Sequence, residues 1–229
     1  MKKFSLFFVF CFLFLDAFSQ DMSPLITKLK AKLDAVNDYV ADGKMKTDIA
    51  FIKAPLSKIK VYYKKPNYFK LKKDGGISIL PKGGVTVNMA SVLTMQNYLA
   101  LSAGNSVFNG VNTKIVKLLP SDENSDIVLT TLYVDEKDLL VLKAITTTKD
   151  NGTYQMDLTY GKYANYGLPD KVIFNFDAKD YKMPKGVTLE FDQNAKPSDL
   201  DKLKGRKGKI EITYNSYIIN QGLASTVFK

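Results

Sequence analysis

Regular alternation of apolar and polar side chains constrains the fold of this chain more than any other feature. Between residues 58 and 64 every second side chain is apolar or aromatic, and lysine or tyrosine lies between them. The same period of two returns in the segments 153–160, 171–177, 187–191 and 210–214. Because successive side chains of a strand point to opposite faces of its sheet, the pattern predicts antiparallel strands with one buried face and one solvated face.

Turn signals separate the alternating segments at short intervals. Asp150-Asn151-Gly152 lies between two strand patterns and is a strong hairpin signal. Asp74-Gly75-Gly76 and Leu168-Pro169-Asp170 mark further turns. The acidic stretch 121–126 lacks the ligand spacing of a calcium loop, so we interpret it as a solvated turn. About ten or eleven strands at this spacing predict a sandwich or a barrel.

Two segments have helical spacing instead of strand spacing. Ser23-Pro24 is a typical helix start, apolar residues recur at helical intervals over residues 25–40, and Asp42-Gly43 predicts the end. A second helix is predicted over residues 89–103, before Gly104. Its stripe of methionine and leucine is typical of a core helix, although methionine also repacks around variable apolar ligands.

The N-terminus has the composition of a secretory signal. Two lysines precede an apolar run over residues 4–15, and small residues follow at Ala17 and Ser19. We therefore predict a signal peptide over residues 1–19 and a single periplasmic domain over residues 20–229. A retained membrane anchor is the alternative, but the apolar run is short for a bilayer span.

Composition removes most kinds of catalytic and metal chemistry. The chain has no histidine, and its one cysteine, Cys11, lies inside the predicted signal peptide. A Ser-His-Asp triad, a thiol nucleophile and a zinc site are therefore excluded, and we expect neither an enzyme nor a bound cofactor or metal. A carboxylate-dependent hydrolase is the alternative, but no pair of carboxylates is marked for it. The net charge of +10 favours acidic partners, yet the basic residues match no nucleic-acid-binding module.

One basic strand end carries the motif of a known family. The residues Lys64-Lys65-Pro66-Asn67-Tyr68-Phe69, followed by the turn at Asp74-Gly75, resemble the strand-end motif of the periplasmic lipoprotein carrier LolA and its relatives. Leu168-Pro169-Asp170 resembles the end of the sheet in such carriers, and the order of elements agrees over essentially the whole predicted domain. The resemblance implies a mainly β fold with helices: an incomplete antiparallel barrel, curved around a hydrophobic cavity, with a helical lid.

The resemblance also implies roles for particular residues. In the family an arginine stands where this chain has Lys65, and it helps to hold the lid closed; an exposed strand-end lysine is the alternative here. Lysines on the polar side of the same strands would form an interaction face for an anionic partner, or would only protect the sheet edge: Lys58, Lys60, Lys64, Lys70 and Lys72. Apolar side chains would line the cavity: Phe51, Ile59, Val61, Tyr63, Phe69, Leu71, Met89, Val92, Met95, Leu99, Met156 and Phe174.

Two functions are compatible with such a fold. The first is a carrier that binds the acyl chains of lipoproteins, or a related lipid, and escorts them toward the outer membrane. Its partners would include an inner-membrane exporter and an outer-membrane acceptor. The second is a periplasmic sensor or regulator that binds a protein partner or a lipid signal. We expect a monomer in both cases.

Overall fold

A computed structural model of the chain describes residues 21–49, 52–66, 68–74, 97–150, 152–177 and 207–228. The predicted signal peptide, the predicted strand 187–191 and residues 89–96 of the predicted second helix lie outside these ranges. The described residues form one α-helix, α1 (Ser23–Asp34), and two short 3-10 helices, Ala164–Tyr166 and Ser225–Phe228. They also form ten strands: β1 Asp38–Ile49, β2 Ile52–Lys64, β3 Tyr68–Lys73, β4 Tyr98–Phe108, β5 Val111–Pro120, β6 Ile127–Asp135, β7 Leu140–Thr148, β8 Thr153–Thr159, β9 Lys171–Asp177 and β10 Lys207–Ile219.

All ten described strands belong to one antiparallel sheet. Their order is β3-β2-β1-β10-β9-β8-β7-β6-β5-β4, so β3 and β4 are its two edges and the sheet is not closed into a barrel. Most neighbours are joined by short hairpins, whereas the pairing of β1 with β10 joins the two ends of the described chain. The prediction of an open, mainly β fold with about ten antiparallel strands and a helix is confirmed.

One face of the sheet carries the core. Residues directly opposite each other on paired strands share a face. A row of such pairs crosses seven strands, and all of its members are buried: Thr47, Ile210, Phe174, Met156, Ala144, Leu132 and Val116. We call this face the inner face and the opposite one the outer face. Three side chains of α1 join the same buried cluster, so α1 lies on the inner face: Leu25, Ile26 and Leu29.

The first helix is shorter than its apolar pattern predicts. The prediction that it continues to residue 40 is wrong, because α1 ends at Asp34 and β1 begins at Asp38. The side-chain amide of Asn220, at the end of β10, donates to the carbonyl oxygen of Ala35 (2.9 Å) and accepts from the backbone N–H of Asn37 (2.7 Å). These bonds satisfy polar groups at the helix end, and the following residues pair with strands on both sides.

The prediction of a second helix reaching residue 103 is also wrong. Residues 98–103 belong to β4, where Leu99 lies opposite Leu119 and Ala100 lies opposite Leu118. Ala100 is buried and Leu99 is exposed, which is the alternation of a strand. Pairing with β5 therefore overrides the local helical spacing.

A glycine fixes the geometry where β1 meets β10. The register between the two strands shifts at Asp42/Gly43, and a Cβ atom at Gly43 would lie 2.5 Å from the carbonyl oxygen of Thr213. The clash is with a backbone atom, which cannot be relieved by a change of rotamer as a clash with a side chain can. We expect Gly43→Ala to lower the free energy of unfolding by about 2 kcal/mol through overpacking. Urea denaturation measures this, and an unchanged midpoint would contradict the assigned register.

Candidate functional site

The predicted cavity-lining residues of the central strands lie together on the inner face. Ile59, Val61 and Tyr63 of β2 lie opposite inner-face positions of β1, and Met156 and Phe174 belong to the row that crosses the sheet. All five side chains are buried in one apolar cluster. Four further predicted positions, Phe51, Met89, Val92 and Met95, fall outside the described residues.

The inner face becomes accessible at the β3 edge. Phe69 lies opposite Tyr63 and Leu71 lies opposite Val61, so both side chains belong to the inner face. Both are only partly buried, although they pack against the apolar cluster. An apolar surface thus continues from the interior to this open edge of the sheet.

Leu99 does not belong to this surface. Its placement among the cavity-lining residues depended on the predicted second helix, which the strand β4 replaces here. The side chain is 53% exposed and lies on the outer face, while its neighbour Ala100 occupies the inner position. This position corrects the prediction that Leu99 lines the cavity.

Helix α1 crosses the open side of the sheet and is attached at both ends. At its start, the N–H of Met22 donates to the carbonyl oxygen of Ala100 on the edge strand β4 (3.1 Å). Near its end, Lys32 Nζ donates to the carbonyl oxygen of Asp138 in the β6–β7 turn (2.6 Å). The helix is therefore held to the β4 edge and to the β6–β7 turn, and its buried side chains cover part of the inner face.

Lys65 contacts the end of this helix. Its Nζ donates to the carbonyl oxygen of Asp34, the last residue of α1, and lies 3.4 Å from Oδ1 of the same residue. A cation is favoured at a helix C-terminus, where the carbonyl groups concentrate negative charge. Of the two interpretations of Lys65 from the sequence, the described contacts match a lysine bound to the helix and not a free one.

The five lysines of the predicted interaction face divide into two groups. Lys58, Lys60 and Lys72 are exposed, and Lys60 pairs with Asp42 at 3.2 Å. Lys64 Nζ instead donates to the carbonyl oxygen of Leu223 (2.6 Å), and Lys70 Nζ donates to that of Val227 (2.9 Å). The segment after β10 therefore binds two of the five lysines, which corrects the prediction that all five form the interaction face.

A cluster of buried tyrosines was not found from the sequence. The ring of Tyr217 lies 5.4 Å from that of Tyr39, 5.1 Å from that of Tyr214 and 4.9 Å from that of Tyr163, measured between centroids. Tyr39 also contacts Tyr63 at 5.2 Å. The cluster forms where β1, β2 and β10 meet, so only the long-range pairing of these strands brings it together.

Burial keeps these phenols neutral. Loss of solvent raises the pKa of Tyr39, Tyr214 and Tyr217 well above the usual value of 10.0, and neighbouring phenols raise it further for Tyr39 and Tyr217. Each side chain is therefore an aromatic surface with a hydrogen-bond donor at its tip over the whole physiological pH range.

A separate polar cleft of about 430 Å³ lies at the β4–β5 hairpin, lined by Asn105, Ser106, Val107, Asn112, Thr113, Lys114 and Glu136. Across the described ranges, no group of three or more acidic or cysteine side chains could hold a metal ion. No helix in the same ranges is long and apolar enough to cross a membrane.

No protein-family model and no curated protein matches this sequence, but solved structures do. A Vibrio parahaemolyticus domain provisionally assigned to outer membrane lipoprotein sorting superposes with a TM-score of 0.57 at 12% identity, covering 90% of this chain and 94% of that one. A LolA superfamily protein from Nitrosomonas europaea gives 0.53 at 11%, covering 89% and 97%. The chain has a LolA-like fold. A DUF1329 family protein from Desulfovibrio piger also superposes, with a TM-score of 0.56 at 14% identity, covering 92% of this chain and 98% of that one.

Proposed function

We propose that this protein binds acyl chains of lipoproteins, or of a related lipid, on the inner face of its sheet and carries them toward the outer membrane. The observation that supports this most is the apolar inner face that continues past α1 to the open β3 edge at Phe69 and Leu71. The names of two structural neighbours, a lipoprotein-sorting domain and a LolA superfamily protein, agree with it. The predicted signal peptide would deliver the chain to the periplasm.

Binding of this kind needs no chemical step. Each methylene moved from water into an apolar site contributes about 0.8 kcal/mol, so one acyl chain is held firmly by burial alone. The exposed lysines Lys58, Lys60 and Lys72 would face an anionic membrane surface or an exporter during loading. We therefore propose a carrier and not an enzyme.

A displacement assay tests the proposal. An apolar naphthylamine fluorophore should brighten when it binds the inner face, and a synthetic acylated lipopeptide should displace it. The same peptide without acyl chains is the matched control and should leave the fluorescence unchanged. Failure of the fluorophore to bind, or equal displacement by both peptides, would contradict acyl binding.

Lys65 is proposed to control release by holding the end of α1. Lys65→Met keeps most of the length of the unbranched side chain but removes the ammonium group that contacts Asp34. Because the ion pair is partly exposed, we expect a loss of stability below about 1 kcal/mol. If this free energy holds α1 over the inner face, its loss would make opening easier and would speed fluorophore release by about threefold. Stopped-flow dissociation measures the rate.

Lys58→Met is the control for this prediction, because Lys58 is an exposed lysine of β2, the strand that ends just before Lys65. It should leave the dissociation rate unchanged. Equal rates for Lys65→Met and the unmodified protein would show that Lys65 has only a structural role.

A regulator that binds one protein partner is the second candidate. Leu99 and Leu119 support it, because they lie directly opposite each other on the outer face and both are exposed. Affinity capture separates the candidates: a regulator should retain one partner in fixed proportion, and a carrier should retain many lipoproteins. In the regulator case Leu99→Ser with Leu119→Ser should abolish capture while leaving fluorophore uptake intact.

A further inference from the structure

Two buried phenol groups stand out within the tyrosine cluster. Tyr39 is 4% exposed and Tyr214 is 7% exposed. Tyr217 donates its hydroxyl to the carbonyl oxygen of Pro169 (2.7 Å), and Tyr160 donates to that of Val141 (2.9 Å). Among the residues the structure describes, neither the hydroxyl of Tyr39 nor that of Tyr214 forms a hydrogen bond.

A buried hydroxyl group destabilises the fold unless an acceptor forms a hydrogen bond with it. A buried hydroxyl without a partner loses its bonds to water and gains none in return, so most buried polar side chains have a partner. Phenylalanine would fill the same space in Tyr39 and Tyr214 without this cost. The rings of both residues pack against Tyr217, which places the two donors in one cluster on the inner face.

We infer that Tyr39 and Tyr214 donate hydrogen bonds to a neutral carbonyl oxygen of the bound lipid, such as that of an acyl ester or amide. This inference rests on the proposed function and adds the polar end of the ligand to it. The apolar inner face would hold the hydrocarbon chain, and the two phenols would fix how deeply the chain enters.

The charges around the cluster favour a neutral acceptor over a carboxylate. Asp38, next to Tyr39, is buried and accepts from the N–H groups of Gln221 (3.0 Å) and Gly222 (3.1 Å). The nearby lysines are already engaged, Lys64 with Leu223 and Lys65 with Asp34. A buried carboxylate would lack a cation here, whereas an ester carbonyl needs only a donor.

The test compares an ester with a hydrocarbon of equal size. Methyl laurate and pentadecane have the same number of heavy atoms, and each can compete with the naphthylamine fluorophore. We expect Tyr39→Phe with Tyr214→Phe to weaken binding of methyl laurate by about tenfold and to leave pentadecane unchanged. The apo form of this double variant should be at least as stable as the unmodified protein in urea.

Tyr217→Phe is the matched control, because its hydroxyl already has an internal partner in Pro169. It should lower stability and leave the ratio of ester to hydrocarbon affinity unchanged. If the double variant does not fold, the two single variants replace it.

Unchanged ester affinity in the double variant would overturn the inference while leaving acyl binding intact. A double variant less stable than the unmodified protein would also overturn it, since its hydroxyls would then have partners inside the protein. If neither methyl laurate nor pentadecane displaces the fluorophore from the unmodified protein, the proposed function fails together with the inference.

Discussion

Tryptophan at position 71 is expected to lower the affinity for an acylated lipopeptide by tenfold or more while the chain still folds. Leu71 lies on the inner face at the β3 edge and is only partly buried, so a larger ring has room to turn over the neighbouring surface. A ring that excludes two methylenes from the site costs about 1.6 kcal/mol of binding, which is roughly a factor of fifteen. Displacement of the fluorophore measures the affinity.

Lys72→Trp is the control for Leu71→Trp. The two positions are adjacent on β3, and their side chains point to opposite faces. Lys72→Trp should bind the lipopeptide as the unmodified protein does. Equal loss in both variants would indicate damage to the edge strand, and no loss in either would contradict binding at the β3 edge.

A loss of stability is expected between pH 9 and pH 11. Folded Tyr39, Tyr214 and Tyr217 stay neutral because burial raises the pKa of each, whereas the unfolded phenols ionise near 10.0. Their contribution to stability is fully present below that value and is lost as the pH rises above it. Each tyrosine then lowers the free energy of unfolding by about 1.4 kcal/mol over this interval, and three lower it by about 4 kcal/mol.

Urea denaturation at a series of pH values, with phenolate absorbance, measures this loss. Tyr214→Phe should remove about 1.4 kcal/mol of the loss between pH 9 and pH 11, by the linkage between titration and stability. Tyr68→Phe is the control, because Tyr68 is exposed and lies outside the buried cluster, and it should leave the pH dependence of stability unchanged. A stability that stays constant to pH 11 would contradict the burial of the cluster.

Local pattern was enough to predict the strands and a mainly β fold, whereas the openness of the barrel was predicted only from the family resemblance. The period of two is a property of each strand, so β2, β8, β9 and β10 are readable without knowledge of their neighbours. The ends of the helices were harder to predict. Val36, Tyr39 and Val40 fit a helical stripe, but β1 begins within that stripe because it has β2 and β10 to pair with. Residues 98–103 join β4 for the same reason.

The candidate site likewise has some features that local pattern predicts and others that depend on long-range contacts. Alternation on β2 and β3 was enough to place Ile59 and Leu71 on one face, and the family motif predicted a contact between Lys65 and the helical lid. The tyrosine cluster and the covering of Lys64 by the segment after β10 depend on contacts between distant parts of the chain. No local spacing signals such contacts, because they arise only when β10 pairs with β1.

The most direct test of acyl binding is native mass spectrometry of the protein purified from a bacterial periplasm without detergent. We expect a fraction of the molecules to have an added mass that dissociates as an acylated lipid or lipoprotein, and we expect Leu71→Trp to lose it. A single apo mass, together with no uptake of the naphthylamine fluorophore, would contradict it. The inner face would then be a packed core, and the outer-face leucines Leu99 and Leu119 would become the first surface to test for a partner.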